Sequence, residues 1–103
     1  IVSVPCFRVF DLQPNDYRIS VLPSGNPIMS VEAYSTFGWG VYSHVHHGIN
    51  TFGVSAPYQK AYEKFQLTDH DVADKAQKVV EFYKKLGQVP SPIAIQAALE
   101  LQQ

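Results

Sequence analysis

Three histidines, at positions 44, 46 and 47, are the side chains of this sequence that could most readily bind a metal ion. Imidazoles so close together could share a metal. However, no Cys, Asp or Glu stands at ligand spacing beside them, and on a strand His46 and His47 would point to opposite faces. The sequence therefore predicts no metal site. It favours polar histidines near a helix C-terminus, or a contact between His44, His46 or His47 and a neighbouring subunit or domain.

The segment Gly53-Val54-Ser55-Ala56-Pro57 is similar to the first half of a nucleophile elbow, a sharp strand-to-helix turn that exposes a serine. Pro57 stands where such a turn needs a glycine for close strand–helix approach. We therefore expect Ser55 to be a helix N-cap rather than a nucleophile. The same backbone amides could instead hold a phosphate or carboxylate, which makes Gly53 and Ser55 a candidate anion site.

The remaining reactive or charged residues predict no active site. Cys6 has apolar neighbours, which favours a buried and inert thiol. Glu32 falls inside a predicted strand, so we expect a salt bridge at the strand's end or to a neighbouring domain. Arg18 and the lysines from Lys75 to Lys85 are typical of a solvated or ion-paired surface. The sequence shows no carboxylate pair, no Ser/His/Asp set and no phosphate-loop motif, so no catalytic residue is predicted.

Length, composition and charge restrict the class of protein. A chain of 103 residues suits one small domain, and 46% hydrophobic with 13% aromatic residues suffices for a packed core. A net charge of −1 without a basic stripe argues against nucleic acid and against a membrane surface as partners. No apolar run reaches the roughly 20 residues of a membrane span. The single cysteine excludes an internal disulfide and is compatible with a reducing compartment.

Strand signals and helix signals alternate along the chain, which predicts an α/β fold with a mostly parallel sheet. Short apolar runs predict strands at 1–4, 28–33 and 48–53. Helical patterns are predicted at 6–12, 16–22, 39–45, from 55, and at 68–86 and 93–101, with a surface loop at 23–27.

Local signals set the ends of the last two predicted helices. Thr68 is a good N-cap with Asp71 as its capping-box partner, and Gly87 suits the C-terminal end of that helix. Apolar residues at helical spacing from 72 to 83 give it the clearest stripe in the sequence. Ser91 as cap, with Pro92 at the first helical position, predicts the last helix.

Three strands are few for a parallel sheet. The chain does not begin with Met, shows no signal peptide, and opens with residues that already read as a core strand. We therefore expect an excised piece of a longer polypeptide, from which one strand and one helix upstream of Ile1 are missing.

Several segments together resemble the C-terminal domain of transketolase. They are Val2 to Pro5 with Phe10 to Gln13, Asp16 to Pro23, Ser30 to Ala33 and Thr51 to Pro57, followed by Tyr62 to Phe65 and the DVADKAQK helix. Each is modest alone, but their order and spacing agree from residue 1 to about Leu86. The resemblance implies a three-layer sandwich, a small mixed and mostly parallel sheet flanked by helices. It assigns residues 1–88 to most of that domain and 89–103 to a tail with a short helix.

The resemblance also implies a function for the intact enzyme. Transketolases use thiamine diphosphate and a divalent metal (Mg or Ca) to move two-carbon ketol units between sugar phosphates, in the pentose phosphate pathway. The cofactors lie between the two preceding domains of paired subunits, and no cofactor ligand or catalytic residue maps onto this chain. We therefore expect a structural, dimer-supporting domain that is inactive alone, with the preceding domains and a second subunit (a homodimer) as partners.

Departures from the family pattern point to a fungal branch. Gln66, the segment 42–47 and the tail 89–103 differ from common forms, which favours a fungal transketolase or a dihydroxyacetone synthase that accepts formaldehyde. The latter branch is peroxisomal, but residues 101–103 match no peroxisomal signal, so a cytoplasmic location is expected. Two alternatives stay open: an independent module that binds an anionic metabolite at Gly53 and Ser55, and a small hydrolase using Ser55 or Cys6.

Overall fold

A computed structural model of the chain describes residues 1–99. Within them, five helices and a two-stranded parallel sheet form the α/β fold that the sequence predicts. The elements in chain order are α1 (Phe7–Asp11), α2 (Asn15–Val21), β1 (Met29–Val31), a 3₁₀ turn (Trp39–Val41), β2 (Val45–His47), α3 (Tyr58–Lys64), α4 (Asp69–Leu86) and α5 (Pro92–Ala98).

The two strands pair in parallel, with Met29 opposite Val45, Ser30 opposite His46 and Val31 opposite His47. Successive side chains on a strand point to opposite faces. Ser30 and His46 therefore share the face on which the 3₁₀ turn lies. Val45 and His47 share the other face, which is covered by α4 and the loop before it.

Two of the three predicted strands are placed wrongly. The second strand is Val45–His47 rather than 48–53, and the helix predicted at 39–45 is only a 3₁₀ turn. The strand stops at Gly48 because that residue lies tightly against the backbone carbonyl of Tyr34, which accepts from Ile49 N at 2.8 Å. Residues 1–4 form no strand, because nothing within residues 1–99 pairs with their backbone groups.

Both ends of α4 and the start of α5 are confirmed. Thr68 and Asp71 form the predicted capping box, and Gly87 ends α4 with φ of 86°. Ser91 Oγ accepts from Ala94 N at 3.0 Å at the start of α5. The helix itself ends at Ala98, with Leu99 as its C-cap residue, so the predicted end at residue 101 is wrong. None of the helices within residues 1–99 is long and apolar enough to cross a membrane.

A small apolar core lies between α2, α5 and the residue that follows the 3₁₀ turn. Leu22, Tyr42 and Ile93 form its centre, and Ile93 is fully buried. The partly buried side chains packed against this centre are Phe10, Ile19, Val21 and Ile28. Ile93 belongs to the segment predicted as a tail, so that segment contributes to the core. The predicted division of the chain at residue 88 stays a prediction.

Gly48 offers a direct test of the close approach that ends β2. A Cβ at this position would lie 2.6 Å from the carbonyl oxygen of Tyr34, so Gly48→Ala must shift backbone. We expect a loss of about 1–3 kcal/mol in the free energy of unfolding, measured by urea denaturation. Gly53→Ala is the matched control, because its Cβ would meet nothing within 4 Å. Equal effects of the two substitutions would contradict the account of this turn.

Candidate functional site

His44 joins the start of the sheet to the loop before α5. Ile28 N donates to its Nδ1 at 2.9 Å, so the ring proton is on Nε2, which donates to the Pro90 carbonyl at 2.8 Å. The Tyr83 ring of α4 lies 5.3 Å away, centroid to centroid. Both ring nitrogens are therefore engaged with backbone atoms, and the side chain holds three segments together.

His46 and His47 lie on β2 and point to its opposite faces, so the prediction that they follow the C-terminus of a helix is wrong. His46 Nδ1 lies 2.8 Å from Ser43 Oγ and 3.4 Å from Ser30 Oγ, on the face of the 3₁₀ turn. His47 is buried on the other face and its Nε2 donates to the Gln66 carbonyl at 2.6 Å. The three rings hydrogen-bond separate parts of the fold. Within residues 1–99, no three His, Cys, Asp or Glu side chains approach closely enough to hold a metal ion.

The segment with Gly53 and Ser55 is exposed and lies before α3 rather than at its start. That helix begins at Tyr58 with Pro57 as its N-cap residue, so the prediction that Ser55 caps a helix is wrong. Proline at 57 fixes an extended residue immediately before the first turn, which displaces the helix start past Ser55. Binding of an anion at Gly53 and Ser55 stays a prediction, now without the helix N-terminus from which it was inferred.

Cys6 and Glu32 also differ from expectation. Cys6 is exposed rather than buried, because it precedes α1, which has no buried residue. The Glu32 carboxylate accepts from the neighbouring Ala33 N at 2.7 Å. The salt bridge found within residues 1–99 joins Lys60 to Glu63, so Glu32 forms none there. A contact of Glu32 with a neighbouring domain stays a prediction.

Arg18 is buried, which corrects its assignment to the surface. Only 8% of the residue is exposed, and its guanidinium carbon lies 5.5 Å from the centre of the Phe10 ring. Asn15, Arg18 and Leu22 follow one another at helical spacing, so the arginine stem continues the face of α2 that carries Leu22 into the core. This spacing was the signal in the sequence that could have identified it.

Tyr42 anchors the core to α1 through a hydrogen bond that sequence reasoning missed. Its hydroxyl donates to the Asp11 carboxylate, with O–O distances of 2.7 and 3.0 Å, while its ring stacks on Phe7 at 4.7 Å. Burial, followed by the contact with Asp11, raises the pKa of Tyr42 to about 12, although the positive charge of Arg18 opposes the shift. The partners are 31 residues apart, and no local pattern indicates such a pair.

The loops after β1 and β2 carry a group of exposed aromatic side chains, Tyr34, Phe37 and Phe52, here named the aromatic edge. Phe37 is 94% exposed and Phe52 is 98% exposed. The carboxyl ends of parallel strands meet at one edge of a sheet, and Asn50 joins the two loops there. Its Oδ1 accepts from Thr36 N at 2.9 Å and from Thr36 Oγ1 at 3.1 Å. The aromatic edge is therefore presented by hydrogen-bonded loops.

Fold and side chains together define a small α/β domain whose polar groups hold its own segments together. The family model described as the transketolase-like TK C-terminal domain matches residues 1–68. The chain belongs to this transketolase C-terminal domain family, which confirms the resemblance seen in the sequence.

Curated relatives are transketolases and a related enzyme. A probable transketolase of Schizosaccharomyces pombe is 48% identical over 93 residues, which is 90% of this chain and 14% of that protein. Transketolase 1 of Candida albicans is 48% identical over 84 residues, 82% of this chain and 12% of that protein. The dihydroxyacetone synthase of Candida boidinii is 39% identical over 85 residues, again 82% and 12%. The chain thus spans less than one sixth of the length of these relatives.

Solved structures agree with the fold. A crystal structure of a transketolase mutant from Pichia stipitis superimposes with a TM-score of 0.85 and 46% identity, over 88% of this chain and 13% of that chain. Transketolase from Leishmania mexicana gives a TM-score of 0.79 and 44% identity, over 86% of this chain and 13% of that chain. The predicted fold class is confirmed by these neighbours.

The bridging role of His44 predicts a stability loss on its removal. His44→Ala leaves Ile28 N and the Pro90 carbonyl without their hydrogen-bond partner, so we expect the free energy of unfolding to fall by about 1–3 kcal/mol. His70→Ala is the control, because His70 is an exposed residue near the start of α4. We expect the control to change stability by less than about 0.5 kcal/mol. If His44→Ala is as stable as His70→Ala in urea denaturation, the bridging role of His44 is contradicted.

The raised pKa of Tyr42 predicts a loss of stability at alkaline pH. The folded chain keeps the phenol proton up to about pH 12, whereas the unfolded chain releases it near the ordinary pKa of 10.0. The free energy of unfolding should therefore be unaffected below pH 10 and fall by on the order of 2 kcal/mol between pH 10 and 12. Tyr42→Phe should remove this part of the pH dependence, whereas the exposed Tyr17→Phe should keep it. Identical profiles for both variants would contradict the assignment.

Proposed function

We propose that this chain is the C-terminal domain of a thiamine-diphosphate-dependent transketolase-type enzyme, which transfers two-carbon ketol units between sugar phosphates. The domain supplies structure and supports the subunit contact, and it contributes no catalytic group. One observation carries the proposal: the fold matches solved transketolases over 88% of this chain at a TM-score of 0.85 while spanning 13% of theirs. The chemistry then belongs to the remaining part of such an enzyme.

The described residues do not fit a site for the cofactor or its metal ion. Residues 1–99 hold no group of three side chains suited to a metal, and their three clustered histidines hydrogen-bond protein atoms instead. The proposal therefore assigns thiamine diphosphate and the divalent metal (Mg or Ca) to other domains of the enzyme.

The aromatic edge supports a docking role toward the rest of the enzyme. Large aromatic side chains exposed on adjoining loops are typical of an interaction surface. Most of each relative's length lies outside the matched segment. The proposed partners are therefore the preceding domains of the same polypeptide and, in a homodimer, a second subunit. β1 pairs only with β2 within residues 1–99, so its other edge can accept a further strand.

The preference among sugar phosphates, or between sugars and formaldehyde, depends on those other domains. Similarity to both transketolases and a dihydroxyacetone synthase supports either branch, and we propose the transketolase branch because its identities are higher, 48% against 39%. A cytoplasmic location is part of the same proposal.

A chimera tests the proposed function. The matching 93-residue segment of the Schizosaccharomyces pombe relative is replaced by residues of this chain, and ketol transfer is measured with thiamine diphosphate and Mg²⁺. We expect activity within about tenfold of the parent enzyme, and no turnover by the isolated chain with the same additions. A soluble, dimeric chimera without activity would contradict the proposal, as would turnover by the isolated chain.

The same chimera tests the aromatic edge. Phe37→Ser with Phe52→Ser should lower its thermal midpoint and promote dissociation, because each aromatic side chain that becomes buried at an interface contributes about 1.5–3 kcal/mol. The control is Phe82→Ser, a change at an exposed phenylalanine of α4, far in sequence from the edge. If both variants lower the thermal midpoint equally, the aromatic edge is not part of the docking surface.

A further inference from the structure

The segment formed by residues 51–67, here named the strap, is loosely attached to the rest of the domain. It consists of the exposed residues 51–57, helix α3 and the turn that follows this helix. None of the residues of α3 is buried. Within residues 1–99, no hydrogen bond joins residues 51–56 to another segment. The position of the strap therefore depends on few contacts.

One hydrogen bond connects the strap to the rest of the described residues. His47 of β2, which is buried, donates from Nε2 to the carbonyl oxygen of Gln66 at 2.6 Å. The side chains of Ala61, Phe65 and Leu67 are only partly buried, so the apolar packing of the strap is incomplete. His47 is thus positioned as a clamp at the C-terminal end of the strap.

The residues on either side of the strap are held by contacts that do not include it. Before the strap, Asn50 Oδ1 accepts hydrogen bonds from the loop that follows β1. After it, Thr68 and Asp71 form the capping box that begins α4. Lys75 Nζ of α4 also donates to the His46 carbonyl of β2 at 3.3 Å. The sheet and α4 therefore keep these contacts when the strap moves.

The turn that ends α3 holds a residue in an unfavourable backbone conformation. Gln66 has φ of 57°, in the left-handed region that residues other than glycine adopt at a cost. Its N donates to the Glu63 carbonyl at 3.2 Å, and Leu67 N donates to the Tyr62 carbonyl at 2.8 Å. Helices usually end in this pattern with a glycine. His47 is therefore bonded to a strained residue, and opening of the strap releases that strain.

We propose that the strap opens as one unit while the sheet and α4 stay folded, and that the hydrogen bond from His47 to Gln66 is the clamp that keeps it closed. Segments with few buried apolar side chains open at a lower free energy than the core of a protein. Opening moves Gln66 away from His47 and uncovers the face of β2 on which this histidine lies. The domain thus has a closed and an open state, and one histidine sets the balance between them.

Hydrogen exchange of the 103-residue chain tests this device. The protection factors of the hydrogen-bonded amides at residues 61 and 65–67 should be at least about tenfold lower than those of α4 around the buried Val79. They should also change little in low urea, because a local opening exposes little surface. If both groups of amides show the same protection and the same urea dependence, the strap opens only with the whole domain and the inference is overturned.

Two substitutions should move the opening in opposite directions. His47→Leu removes the donor but keeps an apolar side chain in its place, so the protection of residues 65–67 should fall about fivefold while that of α4 is unchanged. Gln66→Gly relieves the strain at φ of 57°, so the same protection should rise about fivefold. Gln88→Gly is the matched control, because Gln88 is also an exposed glutamine but has no positive φ.

The amides of α4 distinguish a local effect from a global one. If His47→Leu lowers their protection as much as that of the strap, the substitution destabilises the whole domain, and the test then rests on Gln66→Gly. No gain of strap protection in Gln66→Gly, or a gain equal to that in Gln88→Gly, contradicts the inference. These measurements require no ketol transfer and are independent of the proposed function.

Discussion

The fold depends on the parallel pairing of two three-residue strands, and this pairing is held at its start by His44. Ile28 O accepts from His44 N at 2.9 Å and from Val45 N at 3.3 Å, while Ile28 N donates to the His44 ring. So short a ladder has few bonds of its own, and a slip by one residue would exchange the faces of His46 and His47. The histidine therefore fixes the register, and through Pro90 it also fixes where α5 begins to pack.

The distribution of buried surface bears on the proposed docking of this domain onto a larger enzyme. Its core is centred on Leu22, Tyr42 and Ile93, whereas many large apolar side chains stay exposed, including the whole aromatic edge. Each large apolar side chain that becomes buried contributes about 1.5–3 kcal/mol, so few buried side chains give limited stability. Docking onto other domains extends the same hydrophobic stabilisation. The packing thus agrees with the supporting role proposed above.

The sequence predicted those elements whose signals are local. Thr68 with Asp71, and Ser91 with Pro92, satisfy backbone groups within one helical turn, so α4 and the start of α5 could be read directly. The β2 strand could not be predicted in this way. Three residues form a strand only when a partner strand pairs with them, and the partner β1 lies some sixteen positions earlier in the chain. Residues 1–4 were predicted as a strand from their residue types alone, but residue types do not indicate whether a partner strand is present.

The candidate site shows the same division. The opposite orientation of His46 and His47 follows from strand geometry, but the sequence placed the second strand at 48–53 instead of at these residues. The hydrogen-bond partners of the histidines were not predicted, because Gln66 lies 19 residues from His47 and Pro90 lies 46 residues from His44. Arg18 was assigned to the surface from its charge, although its helical spacing with Leu22 indicated the core. The helical spacing was the better guide to the burial of Arg18, because the long apolar stem of an arginine can pack into a core together with the side chains around it.

The set formed by Asp11, Tyr42 and Arg18 shows how packing can leave a charge unmatched. Tyr42 Oη donates its single proton to the Asp11 carboxylate, at 2.7 and 3.0 Å from the two oxygens. Arg18 forms no ion pair with Asp11 within residues 1–99. The positive charge of Arg18 still acts on Tyr42 and opposes the rise of its pKa, so the two groups are close enough to interact. Within residues 1–99 the arrangement favours the hydrogen bond over the ion pair. The stem of Arg18 and its contact with Phe10 therefore contribute to the core, while its charge forms no ion pair among the described residues.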